Sequence, residues 1–294
     1  MSFKEKYNKI KESVKYELEI IEEKMVSQIH TREPLNSSLK NFLTLPSKRI
    51  RPVLGILYTK AANQGRISDK QLELLTVVEL VHNASLIHDD IIDKSEIRRG
   101  HKTLSSEFDN KLAVISGDYI LSLAMEKLTQ INNIEIISQF AKTIRQMCLG
   151  EINQNFDRFK IGTIEDYIEK TKNKTAYLFE TTLVCCAILE SSQKDLSQIR
   201  KLGSDIGIAF QIRDDILNMT NSDTTKPVNN DISDGIYNAP VILGDKKDNY
   251  ISGIEKTKVL LNNYIKSAKK QIETLPDNEY KTALKEFLEL LKNV

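Results

Sequence analysis

The sequence predicts an all-α fold, one large bundle of about ten helices, on three observations. Gly (11) and Pro (6) are scarce while Leu, Ile, Lys and Glu dominate, the usage of long helices. Apolar residues recur at helical spacing, as at Val14, Leu18, Ile21 and Met25, and strict period-two alternation is hard to find. Nothing in the 294 residues reads as a linker, so residues 1–294 are expected to form a single domain with very little strand.

Helix boundaries follow from punctuation. Breaks fall near Glu33-Pro34, at Leu45-Pro46-Ser47, at Asn63-Gln64-Gly65, around Gly100, near Asn132-Asn133, at Gly162-Thr163 and across residues 219–239. Ser68 with Gln71 three residues later makes a capping-box pattern, and Thr163 is followed by Glu165 and Asp166 in a first turn. The helix after Ser68 carries Leu72, Leu75, Val77, Val78, Leu80, Val81, Ala84, Leu86 and Ile87, which leaves little polar face. Such a helix belongs in the core. It nevertheless ends in His88, Asp89, Asp90, Ile91, Ile92, Asp93, and the apolar segment from Ile199 likewise runs into Asp214, Asp215 and Asn218.

Charge is balanced, 42 Lys+Arg against 41 Asp+Glu, so no global field points to nucleic acid or an anionic membrane. The three cysteines, Cys148, Cys185 and Cys186, sit in apolar helical stretches without disulfide or zinc spacing, and buried, reduced thiols are expected. The N-terminal pattern is charged and amphipathic, without the apolar core of a signal peptide, and no apolar run is long enough to span a bilayer. The expectation is a cytoplasmic protein.

Asp89 and Asp93, four apart on a helix, stack on one face, with Asp90 beside them. Their mutual repulsion at the end of an apolar helix is relieved by a hard cation with oxygen ligands, and two such acid clusters suit magnesium with phosphate oxygens. Cations for phosphate are at hand. Ser47-Lys48-Arg49-Ile50-Arg51-Pro52 opens a helix, with proline tolerated in the first turn and Lys48 and Arg51 beside a positive dipole end. Arg98-Arg99-Gly100 offers two guanidinium forks five residues after the first acid cluster.

In order and spacing, SKRIRP, LIHDDIID, RRG, AVISGDYIL, GEINQ, KTA and FQIRDDILN resemble the trans-isoprenyl diphosphate synthases, over roughly residues 40–245. ASLIHDDIID, CLGEINQ, KPVNNDISDG and the late TLP resemble in particular the larger, aspartate-bearing component of two-component hexaprenyl or heptaprenyl diphosphate synthases. The resemblance implies the isoprenoid synthase fold around a central active-site cavity. It implies joining of isopentenyl diphosphate to an allylic diphosphate, farnesyl or geranylgeranyl, giving a medium- or long-chain polyprenyl diphosphate. Asp89, Asp93 and Asp214 would bind Mg²⁺, with Asp90 and Asp215 supporting. Arg98 would grip the allylic diphosphate; Lys48, Arg51, His82 and Arg99 would form the isopentenyl diphosphate pocket; Lys174, Thr175 and Gln211 would reach the allylic diphosphate and the charge developing at its C1. Ala84, roughly 7.5 Å down the helix from Asp89, with Val81 and Leu80 beyond it, would line the chain-length pocket. A homodimer, or a heterodimer with a small subunit, is the implied assembly.

Three positions depart from the family's commonest form: Ser47 replaces glycine, Asn218 stands where the second acidic motif ends in Asp, and Ile236 stands where many synthases carry lysine. Lys226 is a candidate to compensate. Asn218 and Ile236 also admit a subunit that regulates a partner without turnover, and a geranylgeranyl diphosphate synthase is a further alternative. A class I terpene cyclase fits less well: Ser222, not Glu, stands eight residues after Asp214, and such an enzyme would have no use for two diphosphate pockets.

Overall fold

The computed structural model describes residues 3–190, 195–220, 232, 234–248 and 250–294. The chain divides into two compact units. One comprises Lys11–Ile56 and Arg66–Ile137, the other Met1–Ile10, Leu57–Gly65 and Ser138–Val294. Among the described residues, strand is confined to β1 (Ile97–Arg98) and β2 (His101–Lys102). There are more α-helical elements than the ten expected, the surplus being short pieces such as Leu104–Glu107. None of the described helices is long and apolar enough to cross a membrane.

The first unit holds α2 (Lys15–Val26), α3 (Leu35–Thr44), the start of α4 (Ile50–Ala62), α5 (Asp69–Ile92), the β1–β2 hairpin, α6 (Leu104–Glu107) and α7 (Asn110–Ile131). The capping box forms as expected: Ser68 accepts from the Gln71 backbone N–H, and Gln71 Oε1 accepts from that of Ser68. From there α5 runs 24 residues, packs against α7 and α2, and buries Leu72, Leu74, Leu75, Val77, Val78, Leu80, Val81, Ala84 and Ile87. Its apolar circumference has the central position that the sequence implies. Asn132, in the left-handed conformation, caps α7 at its C-terminus.

The second unit holds α1 (Phe3–Glu12) up to Ile10, the end of α4, α8 (Ile134–Phe156) from Ser138, α9 (Ile164–Thr171), a π-helical turn (Lys172–Ala176), α10 (Tyr177–Ile188), α11 (Leu196–Thr220), α12 (Ala239–Leu243), α13 (Ile251–Ile272) and α14 (Glu279–Leu290). Thr163 and Asp166 make a second capping box at the start of α9. Two glycines one turn apart set the contact of α11 with α10 and with the π turn that precedes it. A Cβ on Gly203 would lie 2.5 Å from Glu180 Cα, and one on Gly207 would lie 2.6 Å from Ala176 Cα. Since the neighbour is backbone in both cases, neither helix can yield without moving. Gly207→Ala is therefore expected to destabilise the chain by roughly 1–3 kcal/mol through overpacking, despite the better helix propensity of alanine. Urea unfolding of the variant checks this; unchanged or raised stability would refute the close-approach account.

The cysteines correct one expectation. Cys185 and Cys186 are buried, and burial pushes the Cys186 thiol up to about 12, but Cys148 is exposed. It lies on the solvent side of α8, whose exposed Leu149 and Ile152 show that apolar residues there are not all turned to the core.

Candidate active site

The first unit carries the first acid cluster on the last turns of α5. Asp93 is the C-cap, and its backbone N–H donates to the Asp89 carbonyl at 2.8 Å. The three carboxylates are not equivalent. Asp90 is turned inward, 2 % exposed, and held by Arg98, whose Nε lies 2.7 and 2.9 Å from the two carboxylate oxygens and whose Nη2 lies 2.6 Å from Oδ1. This forked, charge-assisted pair neutralises Asp90 internally. Asp89 is half-buried and Asp93 exposed, so these two carboxylates take the more open positions.

Arg98 is delivered by the hairpin. Arg99 (φ 53°) and Gly100 (φ 81°) occupy the two central positions of its turn, both left-handed, which is what a two-residue loop between twisted antiparallel strands requires. Glycine serves this at no cost, and Arg99 is presented at the tip.

His82, two turns before Asp89, is half-buried. Burial, followed by the positive charges of Arg51, Arg99, Arg98 and Arg49, holds its imidazole well below the ordinary value of 6.5. The structure thus gathers the expected Arg51, His82 and Arg99 and adds two guanidinium groups, while Lys48 is exposed ahead of α4. One of those two, Arg49, belongs to no site expected from the sequence. It is buried, donating to Glu79 at 3.0 Å, to Glu22 at 3.2 Å and to the Leu43 carbonyl. Ala84, Val81 and Leu80 are all buried on the preceding turns of α5.

The depressed His82 value sets a sign for pH dependence. Near pH 6.5 the unfolded imidazole takes up a proton that the folded one refuses, so stability is lost as pH falls through about 6.5. The stability of wild type relative to His82→Gln is expected to decline between about pH 7.5 and 5.5, followed by thermal unfolding at fixed ionic strength. A flat or rising difference would remove His82 from this role.

The second unit carries the other acid cluster on α11. Asp214 is half-exposed, with Arg213 Nη1 3.7 Å from its Oδ1, whereas Asp215 is buried. Tyr167 OH donates to Asp215 Oδ2 at 2.6 Å, and Gln211 Nε2 donates to Oδ1 at 2.9 Å. Thr175 Oγ1 in turn donates to Gln211 Oε1 at 2.9 Å. Lys174 and Thr175 lie on the π turn, a local widening frequent at functional sites. Lys174 Nζ is 2.6 Å from Glu151 Oε2, and the Gly150 next to Glu151 leaves room for the Lys174 backbone, which a Cβ would meet at 3.0 Å. Tyr167 and Glu151 are site residues that the sequence does not single out, although Glu151 lies within the GEINQ motif. Asn218 is half-buried on the last turn of α11 and Ile236 is half-buried before α12. Ser222 and Lys226 lie outside the described residues.

Among the described residues no three His, Cys, Asp or Glu side chains form a ready-made metal cage. The carboxylates of each cluster, taken by itself, still fit a hard divalent cation, because magnesium is held by one or two carboxylates and completes its octahedron with waters and substrate phosphate oxygens. Asp89, Asp93 and Asp214 have that chemistry.

Comparison with known proteins identifies the family. The polyprenyl synthetase family model matches residues 32–279. A prenyl transferase of Cyanidium caldarium is 36 % identical over 247 residues, 82 % of this chain and 76 % of that protein. The heptaprenyl diphosphate synthase component 2 of Bacillus subtilis is 32 % identical over 251 residues, covering 82 % and 69 %. The crystal structure of heptaprenyl diphosphate synthase from Staphylococcus aureus superposes with a TM-score of 0.88 at 26 % identity, covering 96 % of this chain and 98 % of that one. The chain belongs to the polyprenyl synthetase family and is a prenyl diphosphate synthase.

Proposed function

We propose that this chain condenses isopentenyl diphosphate with an allylic diphosphate, farnesyl or geranylgeranyl, to an all-trans polyprenyl diphosphate of the hexaprenyl or heptaprenyl type. The observation that carries the reading is the division of labour in each acid cluster: one aspartate is buried on an internal partner (Asp90 on Arg98, Asp215 on Tyr167), while Asp89, Asp93 and Asp214 keep more open positions. The arginines around His82 supply charge for a second diphosphate. On this reading residues 1–294 act as a single polyprenyl synthase domain.

Mg²⁺ held by Asp89, Asp93 and Asp214 would supply charge neutralisation on the allylic diphosphate. The chain's own residues do the rest. Arg98, with Nε and Nη2 on Asp90, has Nη1 for the allylic diphosphate, and Lys174 adds a second cation. Arg51, His82, Arg99 and Lys48 hold isopentenyl diphosphate. Neutralisation of the charge developing on the diphosphate lets the C1–O bond break with both electrons leaving on the diphosphate, and the isopentenyl double bond attacks the allylic cation at C1. Thr175 and Gln211 turn oxygen toward the positive carbon, and the departing diphosphate takes the proton released. Holding both substrates in line supplies much of the acceleration. Ala84, with Val81 and Leu80, keeps the wall small enough for a growing chain. The enzyme is proposed to be cytoplasmic and to work as a homodimer or with a small subunit, a reading supported by the similarity to a component 2 protein.

The test is incubation of the purified chain with magnesium, labelled isopentenyl diphosphate and farnesyl diphosphate, followed by chromatography of the products. Products of six or more isoprene units support the proposal, and a geranylgeranyl product corrects its length. Silence with every allylic primer, relieved by no small subunit, overturns it in favour of a regulatory role, the second reading that Asn218 and Ile236 suggest.

A further inference from the structure

Tyr167 touches none of the groups proposed to meet substrate, yet it ends a chain of hydrogen bonds that does. The chain runs from Tyr167 OH to Asp215 Oδ2 (2.6 Å), from Gln211 Nε2 to Asp215 Oδ1 (2.9 Å) and from Thr175 Oγ1 to Gln211 Oε1 (2.9 Å). Its direction is forced. A carboxylate only accepts, and burial together with the Asp215 charge raises the Tyr167 phenol well above its ordinary range, so the phenol stays a donor. The Gln211 amide must then point its nitrogen at Asp215, which leaves its oxygen for Thr175. The Thr175 hydroxyl, having given its one proton to Gln211, retains only lone pairs. The outer end of the relay therefore consists of oxygens. An inverted amide would put its oxygen against the carboxylate and offer N–H groups in their place.

The anchor is also rigid. Tyr167 and Asp215 are both buried, and Tyr167 sits one turn into α9, whose start is fixed by the Thr163–Asp166 capping box and whose end leads directly into the π turn bearing Thr175.

We propose that Tyr167 is a positioning residue for prenyl transfer: by fixing Asp215 it fixes the Gln211 amide and keeps the Thr175 and Gln211 oxygens turned toward the allylic carbon that becomes positive. This rests on the proposed function, because the group served is the carbon ionised in that reaction.

Steady-state kinetics of Tyr167→Phe in the full chain test it. The expected result is a kcat lowered roughly 10- to 100-fold, the range for lost orienting hydrogen bonds, with KM for both substrates within about twofold. Asp215→Asn, isosteric and uncharged, is expected to lower kcat likewise, and the double variant is expected to be no worse than the poorer single one, since both act through one chain. A Tyr167→Phe kcat within twofold of wild type, a loss carried wholly by KM, or additive losses in the double variant would overturn the inference while leaving the proposed function standing. A wild-type chain that makes no product fails the proposed function instead. In that event the side-chain amide resonance of ¹⁵N-labelled Gln211 decides: it shifts in Tyr167→Phe if the relay holds the amide, and an unmoved resonance overturns the relay.

Discussion

Asp89→Ala is expected to lower chain elongation by roughly 10³-fold or more while leaving the unfolding midpoint almost unchanged. The catalytic loss follows from the proposed role of Asp89 in holding a divalent cation, which would supply several kcal/mol of charge stabilisation, each about 1.4 kcal/mol being tenfold in rate. The stability follows from position. Asp89 is half-buried on α5, with the like charge of Asp93 four residues on, so its removal relieves a repulsion. Asp90→Ala separates the two effects. Its carboxylate is 2 % exposed and forked onto Arg98, so the variant is expected to lose stability as well as activity, by roughly 3 kcal/mol, because a partly buried guanidinium is left without its counter-charge. The comparison needs product assay and chemical unfolding on both variants. Equal activity losses with equal destabilisation would mean that the acid cluster only maintains the helix end.

That contrast marks the limit of what is legible in the sequence. The capping boxes at Ser68 and Thr163 are legible because both partners lie within four residues and the chemistry is local. The buried course of α5 is legible because apolarity all round a helix has only one stable placement. The acid clusters and RRG are legible as residues, and the structure places the positive charges of Arg51 and Arg99 near enough to His82 to act on it. Which aspartate of each pair turns inward is not legible. Asp90 and Asp89 are neighbours of identical chemistry, and what separates them is Arg98, delivered by a hairpin whose turn fixes its direction. Asp215 is likewise distinguished by Tyr167, 48 positions away, and no local pattern encodes that meeting. Arg49 illustrates the same point more strongly: within SKRIRP the sequence singles out only Lys48 and Arg51, and only the fold shows Arg49 turned onto the buried Glu79, 30 positions distant, and the more exposed Glu22, 27 positions distant.

Arg49→Met is accordingly expected to destabilise the chain by about 3–5 kcal/mol, with lost activity following from lost structure. The Arg49 side chain is 6 % exposed and the Glu79 side chain 3 % exposed, so the substitution strands a carboxylate in the core of the first unit and leaves the Leu43 carbonyl without its donor. A burial effect and a charge effect are distinguishable by the partner. Glu79→Gln alone, which strands the guanidinium in part, is expected to destabilise too, whereas Arg49→Met with Glu79→Leu is expected to recover much of the loss, since apolar replacement of both members of a buried pair is often neutral. The double variant is then a folded chain with one fewer positive charge beside His82, so its imidazole is expected to titrate closer to the ordinary 6.5, visible by NMR. Unfolding by urea reads the stabilities. If Arg49→Met stays within about 1 kcal/mol of wild type, the pair is not what holds the start of α4 to α5, and the basic segment must be positioned by the packing of Ile50, Val53 and Leu54 instead.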